Sequence, residues 1–489
     1  MSEQTSSATD ELPVTFRPAL FLQRRGWVFE VMSREGVRRV SILVSTGIAS
    51  CTLIPEKVLD IGCGEGETIA CLCNPAPWLL PQSCPGADEA DPDNAIKDFL
   101  HINTIYALDI SSHDLKRAVE LTAPPPPPPP NGWQGHTRWE PLEVKLWEGG
   151  MESYNPEFVD MECIISTEVI EHLPEGLLPE FAPVLLGLYH PRLLLITTPS
   201  YTFNARFTAP DAPSSARNGY RDPTRRTSRI FRHDDHKFEW TVEEFTSWCT
   251  GVAAEWGYDV EISGVGRPSE KDRWDREEEL GCASQTAAFK RREGQTLVKA
   301  REERVASMGT LQKAATRSKH ELIATHQHQE HENARKPGSF HDIGLQVMEK
   351  MKHYQEARLR LHELYFEHDM GVLCGGSLHL LVMAVETREE LRLLKPSSVD
   401  SKDWIVEWVG FVPQERLQPL WPQEQKEEEK GEGNNAAISR WPGLPAGWGD
   451  TGDVDECQSL EGISVTEQWG WDHAIEGSWT TAEVESVVF

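Results

Sequence analysis

Ser166 to Glu175 reads S-T-E-V-I-E-H-L-P-E, and on a helix Glu168, Glu171 and His172 fall at i, i+3 and i+4, hence on one face. Two carboxylates and an imidazole facing one way repel unless something cationic sits among them. The competing use is a solvated helix start, where acids also suit the N-terminal dipole. A zinc-protease helix needs H-E-x-x-H or H-x-x-E-H, and position 168 is Glu, which disfavours that chemistry. Carboxylates with one or two imidazoles suit Mg²⁺, Mn²⁺ or another divalent cation that prefers oxygen and nitrogen to thiolate. A second polar cluster, from Phe231 to Phe245, holds His233, Asp234, Asp235, His236 and Lys237. One of its histidines can complete a metal site from across the fold. Thr241 followed by Glu244 is also a capping box, so part of this stretch simply starts a helix.

V-L-D-I-G-C-G-E-G-E, Val58 to Glu67, places Asp60, Gly62, Gly64 and Gly66 where a strand gives way to a helix. There backbone must approach a ligand closely, and glycine avoids a Cβ clash. The spacing G-x-G-x-G is neither the dinucleotide fingerprint nor a P-loop. About forty residues on, T-I-Y-A-L-D ends in Asp109, a carboxylate where a doubly wound fold would hold a ribose diol. Together these features resemble the S-adenosylmethionine site of class I methyltransferases.

The elements that must position these residues are short apolar runs alternating with helical patterns. Lys57 to Ile61, Thr104 to Asp109, Cys163 to Ser166, Leu193 to Thr197, Asp259 to Gly264 and Cys282 to Phe289 read as strands. Such alternation predicts an α/β fold, a mostly parallel sheet with helices on both faces. Residues 74–94, and 123–132 with their seven consecutive prolines, read as loop insertions, the prolines as a polyproline II spacer. Residues 291–340 read as a solvated charged helix or disorder, with His326, His328 and His331 on a helix face rather than in a metal site. For 341–420 a small extension is expected. Leu345, Met348, Met351, Leu361, Leu364 and Tyr365 fit one helix face, and Ser377 to Val385 and Trp404 to Val412 read as strands. Residues 1–13 and the tail 421–489 are expected to be disordered.

No stretch of the 489 residues approaches the ~18 to 20 apolar residues of a spanning helix, and the start M-S-E-Q-T-S-S-A-T-D lacks a signal-peptide pattern. Ten scattered cysteines read as reduced thiols, and the lone C-x-C at Cys71 and Cys73 is a poor zinc signature. A cytoplasmic protein is expected. A net charge of −30 argues against non-specific polyanion binding, yet Ala205 to Lys237 is net +4 while Pro422 to Phe489 is net −12.

In order along the chain, D-I-G-C-G-E-G, E-V-I-E-H-L, T-P-S-Y-T-F-N (Thr198 to Asn204) and D-H-K-F-E-W-T (Asp235 to Thr241) resemble the small-RNA 3′-terminal 2′-O-methyltransferases of the Hen family. F-R-P-A-L-F-L-Q-R-R, Phe16 to Arg25, is similar to the segment preceding that family's domain, and the likeness runs over residues 14–290. The resemblance implies a metal, Mg²⁺ or another divalent ion, ligated by Glu168, Glu171, His172 and His236. It implies S-adenosylmethionine on Asp60, Gly62, Gly64 and Asp109, and a metal that chelates the 2′ and 3′ hydroxyls of a terminal nucleotide. Ala19, Phe21 and Ser200 depart from the family's usual residues, at substrate contacts rather than metal ligands. With no double-stranded-RNA module in view, the expected substrate is a single-stranded small RNA in RNA-mediated gene silencing. Arg206, Arg217, Arg221, Arg225, Arg226, Arg229 and Arg232 can supply its phosphate surface. Tyr201 and Phe203 can stack a base or lie in the core. In the tail, G-W-G at Trp448 and W-G-W at Trp469 and Trp471 resemble the glycine-tryptophan hooks that bind Argonaute proteins. Two other readings stay open, a non-catalytic scaffold that recruits Argonaute and a methyltransferase for a different hydroxyl.

Overall fold

Valine, isoleucine and leucine crowd the short runs that the computed structural model folds into one eight-stranded sheet. The structure describes residues 11–35, 40–43, 50–53, 57–73, 102–126, 138–213, 216–396 and 403–413. The strands are β1 (Lys57–Ile61), β2 (Thr104–Asp109), β3 (Leu142–Glu148), β4 (Cys163–Thr167), β5 (Leu193–Pro199), β6 (Tyr258–Val265), β7 (Ser284–Arg291) and β8 (Glu321–His328). Their spatial order is β6-β7-β5-β4-β1-β2-β3-β8. β1 to β5 run parallel, β7 is antiparallel to β5 and β6 to β7, and β8 joins β3 antiparallel. This is a doubly wound, Rossmann-like sheet of the class I methyltransferase kind. From β1 the chain winds outward first through β2 and β3, then returns to β4 on the other side. Ligands bind such sheets at the carboxyl ends of the two strands flanking that reversal, here β1 and β4.

Helices cover both faces. α1 (Leu20–Arg34) buries Val28, Val31 and Met32 in a core shared with α2 (Glu67–Leu72), α3 (Ser112–Thr122) and one side of the sheet. On the opposite side α4 (Leu178–Ala182), a π-helical turn (Pro183–Tyr189), and α5 (Val242–Trp256) bury Phe181, Tyr189, Phe245 and Trp256. The capping box expected at Thr241 and Glu244 starts α5.

Several expectations need correction. β3, a strand absent from those expected, alternates Leu142, Val144 and Leu146 inward with polar residues between, a period-two pattern. Residues 291–340 are not one solvated helix: α6 (Gln295–Met308) is followed by a short helix and then β8. The histidines of β8 have structural work. His326 Nε2 lies 3.1 Å from the Val119 carbonyl and His328 Nε2 2.9 Å from that of Thr122, satisfying acceptors left open at the end of α3. Ser377 to Val385, expected as a strand, is a helix over Leu378–Glu386, because it packs both faces into a second core around Ile343, Met351, Leu364 and Val406. Ile405–Trp408 is a strand, as expected, central in a small antiparallel sheet. Glu11 and Leu12, expected in a disordered N-terminus, are fixed: Glu11 pairs with Arg232 at 2.6 Å and Leu12 N donates to Phe207 O at 2.8 Å. Insertion 74–94, most of the proline run and the tail with Trp448, Trp469 and Trp471 lie outside the described residues. Cys63, Cys71, Cys73, Cys163, Cys249, Cys282 and Cys374 are free, and no helix among the described residues is long and apolar enough to cross a membrane.

Candidate active site

At the carboxyl end of β1 the chain turns through Gly62, Gly64 and Gly66, with φ of +73°, +52° and +82°. A Cβ on Gly62 would sit 2.3 Å from Val169 Cγ2, and one on Gly66 2.8 Å from Ala118 Cβ, so the loop can pack there only without side chains. Above Gly64 the space is open for 4 Å. Asp109, ending β2, braces the loop: Gly64 N and Ser111 N each donate to one of its oxygens at 2.8 Å. Asp60 is buried and its Oδ1 has no partner. Burial, with Asp109's charge second, pushes the Asp60 carboxyl up to about 7. An orphaned carboxylate oxygen beside a glycine cradle fits a ligand that is cationic and rich in hydrogen-bond donors, as S-adenosylmethionine is.

After β4 the expected helix face does not form. Glu168 takes a left-handed φ of +53° and is followed by one 3₁₀ turn, Ile170–His172. Pro174 forces Leu173 into an extended conformation and stops the turn. Strain at such a residue costs ~1–3 kcal/mol, offset in part by the Glu168 N to Thr197 O hydrogen bond of 3.0 Å. Glu171 is completely buried; Thr198 Oγ1 donates to its Oε2 at 3.0 Å, while Oε1 has no partner. Burial, then the charge of Glu168, holds its carboxyl well above the usual range. His172 and the buried His236 come to it from two separate segments, their rings 5.0 Å apart. Donor atoms of Glu171, His172 and His236 all lie within 4.8 Å of one another. A six-coordinate cation with ligands at ~2.1 Å spaces its donors ~3 to 4 Å apart, so the three need only a small adjustment to share one. Oxygen and nitrogen donors around an unsatisfied buried carboxylate fit Mg²⁺ or Mn²⁺. Burial also lowers the pKa of His172, favouring the neutral imidazole that ligates metals.

Glu168 stands apart from that trio. Its Oε1 accepts from Thr197 Oγ1 at 2.8 Å, and its Oε2 pairs with Arg24 Nη2 at 2.9 Å. Arg24, on α1, is itself steadied by a 2.8 Å bond from Nε to Ser284 Oγ. Arg24, Thr197, Thr198, Asn204, Asp235 and Glu239 all shape the site; of these the sequence had marked Asp235 alone, as a member of the second polar cluster. The signal available was position: each lies in, or beside, one of the motifs already quoted.

The basic strip is mostly spent inside the protein. Arg206 is buried against Asp272 at 3.0 Å, Arg232 pairs with Glu11, and Arg229 grips both Glu244 oxygens at 2.8 Å with its guanidinium 4.7 Å from the Tyr201 ring. Phe203 is core, packed with Val14 and Phe207. Arg226 meets Glu175 at the surface, whereas Arg221 and Arg225 are exposed with no acidic partner among the described residues.

No family model matches the chain. A protein of Arabidopsis thaliana named small RNA 2′-O-methyltransferase is 30% identical over 239 residues, 48% of this chain and 21% of that protein. One of the same name from Xenopus tropicalis is 33% identical over 240 residues, 49% of this chain and 51% of that protein. Proteins of that name from Drosophila melanogaster, Schizosaccharomyces pombe and Caenorhabditis elegans are also similar to the chain. The chain spans 21% to 54% of the length of these relatives. A solved structure described as small RNA methyltransferase HEN1 is 24% identical, covers 67% of this chain and 29% of its own, and superposes with a TM-score of 0.38; the strand order above is what carries the fold.

Proposed function

We propose that this chain transfers a methyl group from S-adenosylmethionine to the 2′-hydroxyl of the 3′-terminal nucleotide of a small single-stranded RNA. In this reading Glu171, His172 and His236 hold a divalent cation, and Glu168 is the fourth ligand, its Oε2 being the oxygen that Arg24 now neutralises. The observation that carries the proposal is the unpartnered buried Oε1 of Glu171 between two imidazoles, at the same end of the sheet as the glycine loop. The named relatives support the class of substrate.

An alkyl hydroxyl is a poor nucleophile near neutral pH, and a bound divalent cation supplies the Lewis acidity that lowers its pKa. The chain's own residues make that possible. Thr197 and Thr198 hold the two carboxylates by donated hydrogen bonds, fixing them before any ligand arrives. Burial beneath β4 and β5 keeps water from satisfying Glu171. His172 has Nδ1 turned to Asp235 and Nε2 toward Glu171, and His236 has Nδ1 turned to Glu239, so with each Nε2 given to the cation neither is free to act as a general base. Asp60 and the bare backbone of Gly62 and Gly64 receive the cofactor, and exposed Arg221 and Arg225 remain for phosphates. The tail tryptophans Trp448, Trp469 and Trp471 are proposed to dock the enzyme on an Argonaute protein, placing it in the cytoplasm beside its substrate.

Matched RNAs ending in a free diol, a 2′-deoxy nucleotide or a 3′-phosphate test the reading directly. Transfer of labelled methyl to the diol end alone is expected. Equal transfer to all three ends removes the end-reading part of the proposal, and transfer to none, by protein that binds cofactor, removes the RNA.

A further inference from the structure

Both imidazoles of the candidate metal site are held from behind by a carboxylate. Asp235 Oδ2 lies 2.9 Å from Nδ1 of His172, and Glu239 Oε1 lies 2.8 Å from Nδ1 of His236. An ionised carboxylate accepts and does not donate, so each Nδ1 carries the hydrogen and each Nε2 keeps its lone pair. Nε2 of His172 faces Glu171 Oε1 at 3.9 Å, the buried oxygen that lacks a partner.

We propose that Asp235 and Glu239 are positioning residues that fix His172 and His236 in the Nδ1–H tautomer and aim both Nε2 atoms at a divalent cation beside Glu171. The proposal deepens the metal reading above and rests on it. Carboxylates behind metal-binding imidazoles set the ring's orientation and raise its basicity. The two are held differently. Glu239 is buried, its Oε1 also accepting from Arg232 N at 2.8 Å and its Oε2 from Asn204 Nδ2 at 2.6 Å, so the fold itself sets its place. Asp235 is half exposed, and its oxygens meet the rings of His172 and His233. Asp235 also belongs to a second cluster with His233 and His236 whose donor atoms lie within 4.8 Å. Because Oδ1 is engaged by His233 and Oδ2 by His172, Asp235 orients rings and does not ligate. The spacing within D-H-K-F-E gains a physical reason: Glu239 reaches back three residues to its own histidine, and Asp235 reaches across to the turn after β4.

Nitrogen-15 spectra of labelled histidine in the metal-free protein report the tautomers, and paramagnetic resonance of Mn²⁺ reports binding, neither needing catalysis. In the wild type His172 and His236 are expected as Nδ1–H. Asp235→Ala, at an exposed position, should mix the His172 tautomers, leave those of His236 and S-adenosylmethionine affinity unchanged, and weaken Mn²⁺ about 10- to 100-fold. Asp235→Asn, which keeps one acceptor oxygen, should recover part of that loss. Glu239→Ala should do to His236 what Asp235→Ala does to His172, and Glu239→Gln should recover part of it; should the buried Glu239 variants fail to fold, the Asp235 pair decides alone. Nε2–H tautomers in the wild type, or an Asp235→Ala protein with unchanged tautomer and Mn²⁺ affinity, overturn the proposal. Wild-type protein with Nδ1–H rings that binds no Mn²⁺ shows instead that the metal reading has failed, and the purpose assigned to the two carboxylates falls with it.

Discussion

Asp60 is the residue whose chemistry is most exposed to pH. Its carboxyl is raised from an ordinary 3.8 to about 7 in the folded protein. Between those values the folded chain keeps a proton that the unfolded chain releases, so stability falls as pH rises across that window, by up to ~4 kcal/mol for a shift of this size. A sulfonium ligand prefers the ionised carboxylate, so binding should release a proton. S-adenosylmethionine affinity measured by calorimetry is expected to rise about tenfold from pH 6 to pH 8 and level off above. Asp60→Asn should flatten that dependence and, without ligand, melt higher than the wild type at pH 8 but not at pH 4. A wild-type affinity independent of pH would show that Asp60 does not face the cofactor. From the sequence, Asp60 was marked by a strand end and Glu171 with His172 by their spacing, while His236 rather than His233 was named only through the family resemblance. Partners were not marked: Arg24 reaches Glu168, and Glu239 reaches His236, through contacts that depend on how α1 and the loop before α5 pack.

The loop after β1 and the turn after β4 touch at Gly62 and Val169, a contact that would couple the proposed cofactor loop to the proposed metal turn. Gly62→Ala needs a methyl where Val169 Cγ2 stands 2.3 Å away and a φ of +73°. That should cost ~1–3 kcal/mol, and it should weaken S-adenosylmethionine and Mn²⁺ binding together. Loss of only one in a folded variant would show that the two elements move independently. Strands buried on both faces were legible as apolar runs, and β1 and β2 match the expected ranges residue for residue. β8 was not. Its E-L-I-A-T-H-Q-H sits at the sheet edge with most side chains exposed, so hydrophobic period says little, and its place is set by pairing with β3. The helix over Leu378–Glu386 was misassigned for the opposite reason: apolar on nearly every side, it carries no period that distinguishes it from a buried strand.

For the whole molecule the proposed division of labour is between a catalytic sheet and an acidic tail. Deleting the chain after Lys430 is expected to leave methyl transfer to free RNA within about twofold, because every proposed ligand lies before that point; multivalent docking is then the tail's contribution. Trp448, Trp469 and Trp471 changed together to Ala should abolish capture of a purified Argonaute protein while activity on free RNA persists. Capture that survives the triple change would move the docking surface elsewhere. The α/β class was legible because short apolar strands alternate with helical patterns, whereas the order of the strands, and the places of β3 and β8 in it, depend on pairing between distant segments. The most direct test of the site is methyl transfer to a diol-ended RNA by the wild type and Glu171→Ala, titrated with Mn²⁺ after chelation, with cofactor binding followed in parallel. Wild-type transfer that vanishes with chelator and returns with Mn²⁺, and a Glu171→Ala protein that binds cofactor but loses at least a hundredfold in rate (~3 kcal/mol), is the expected result. Transfer that persists in chelator, or survives in Glu171→Ala, contradicts a metal held by Glu171, His172 and His236.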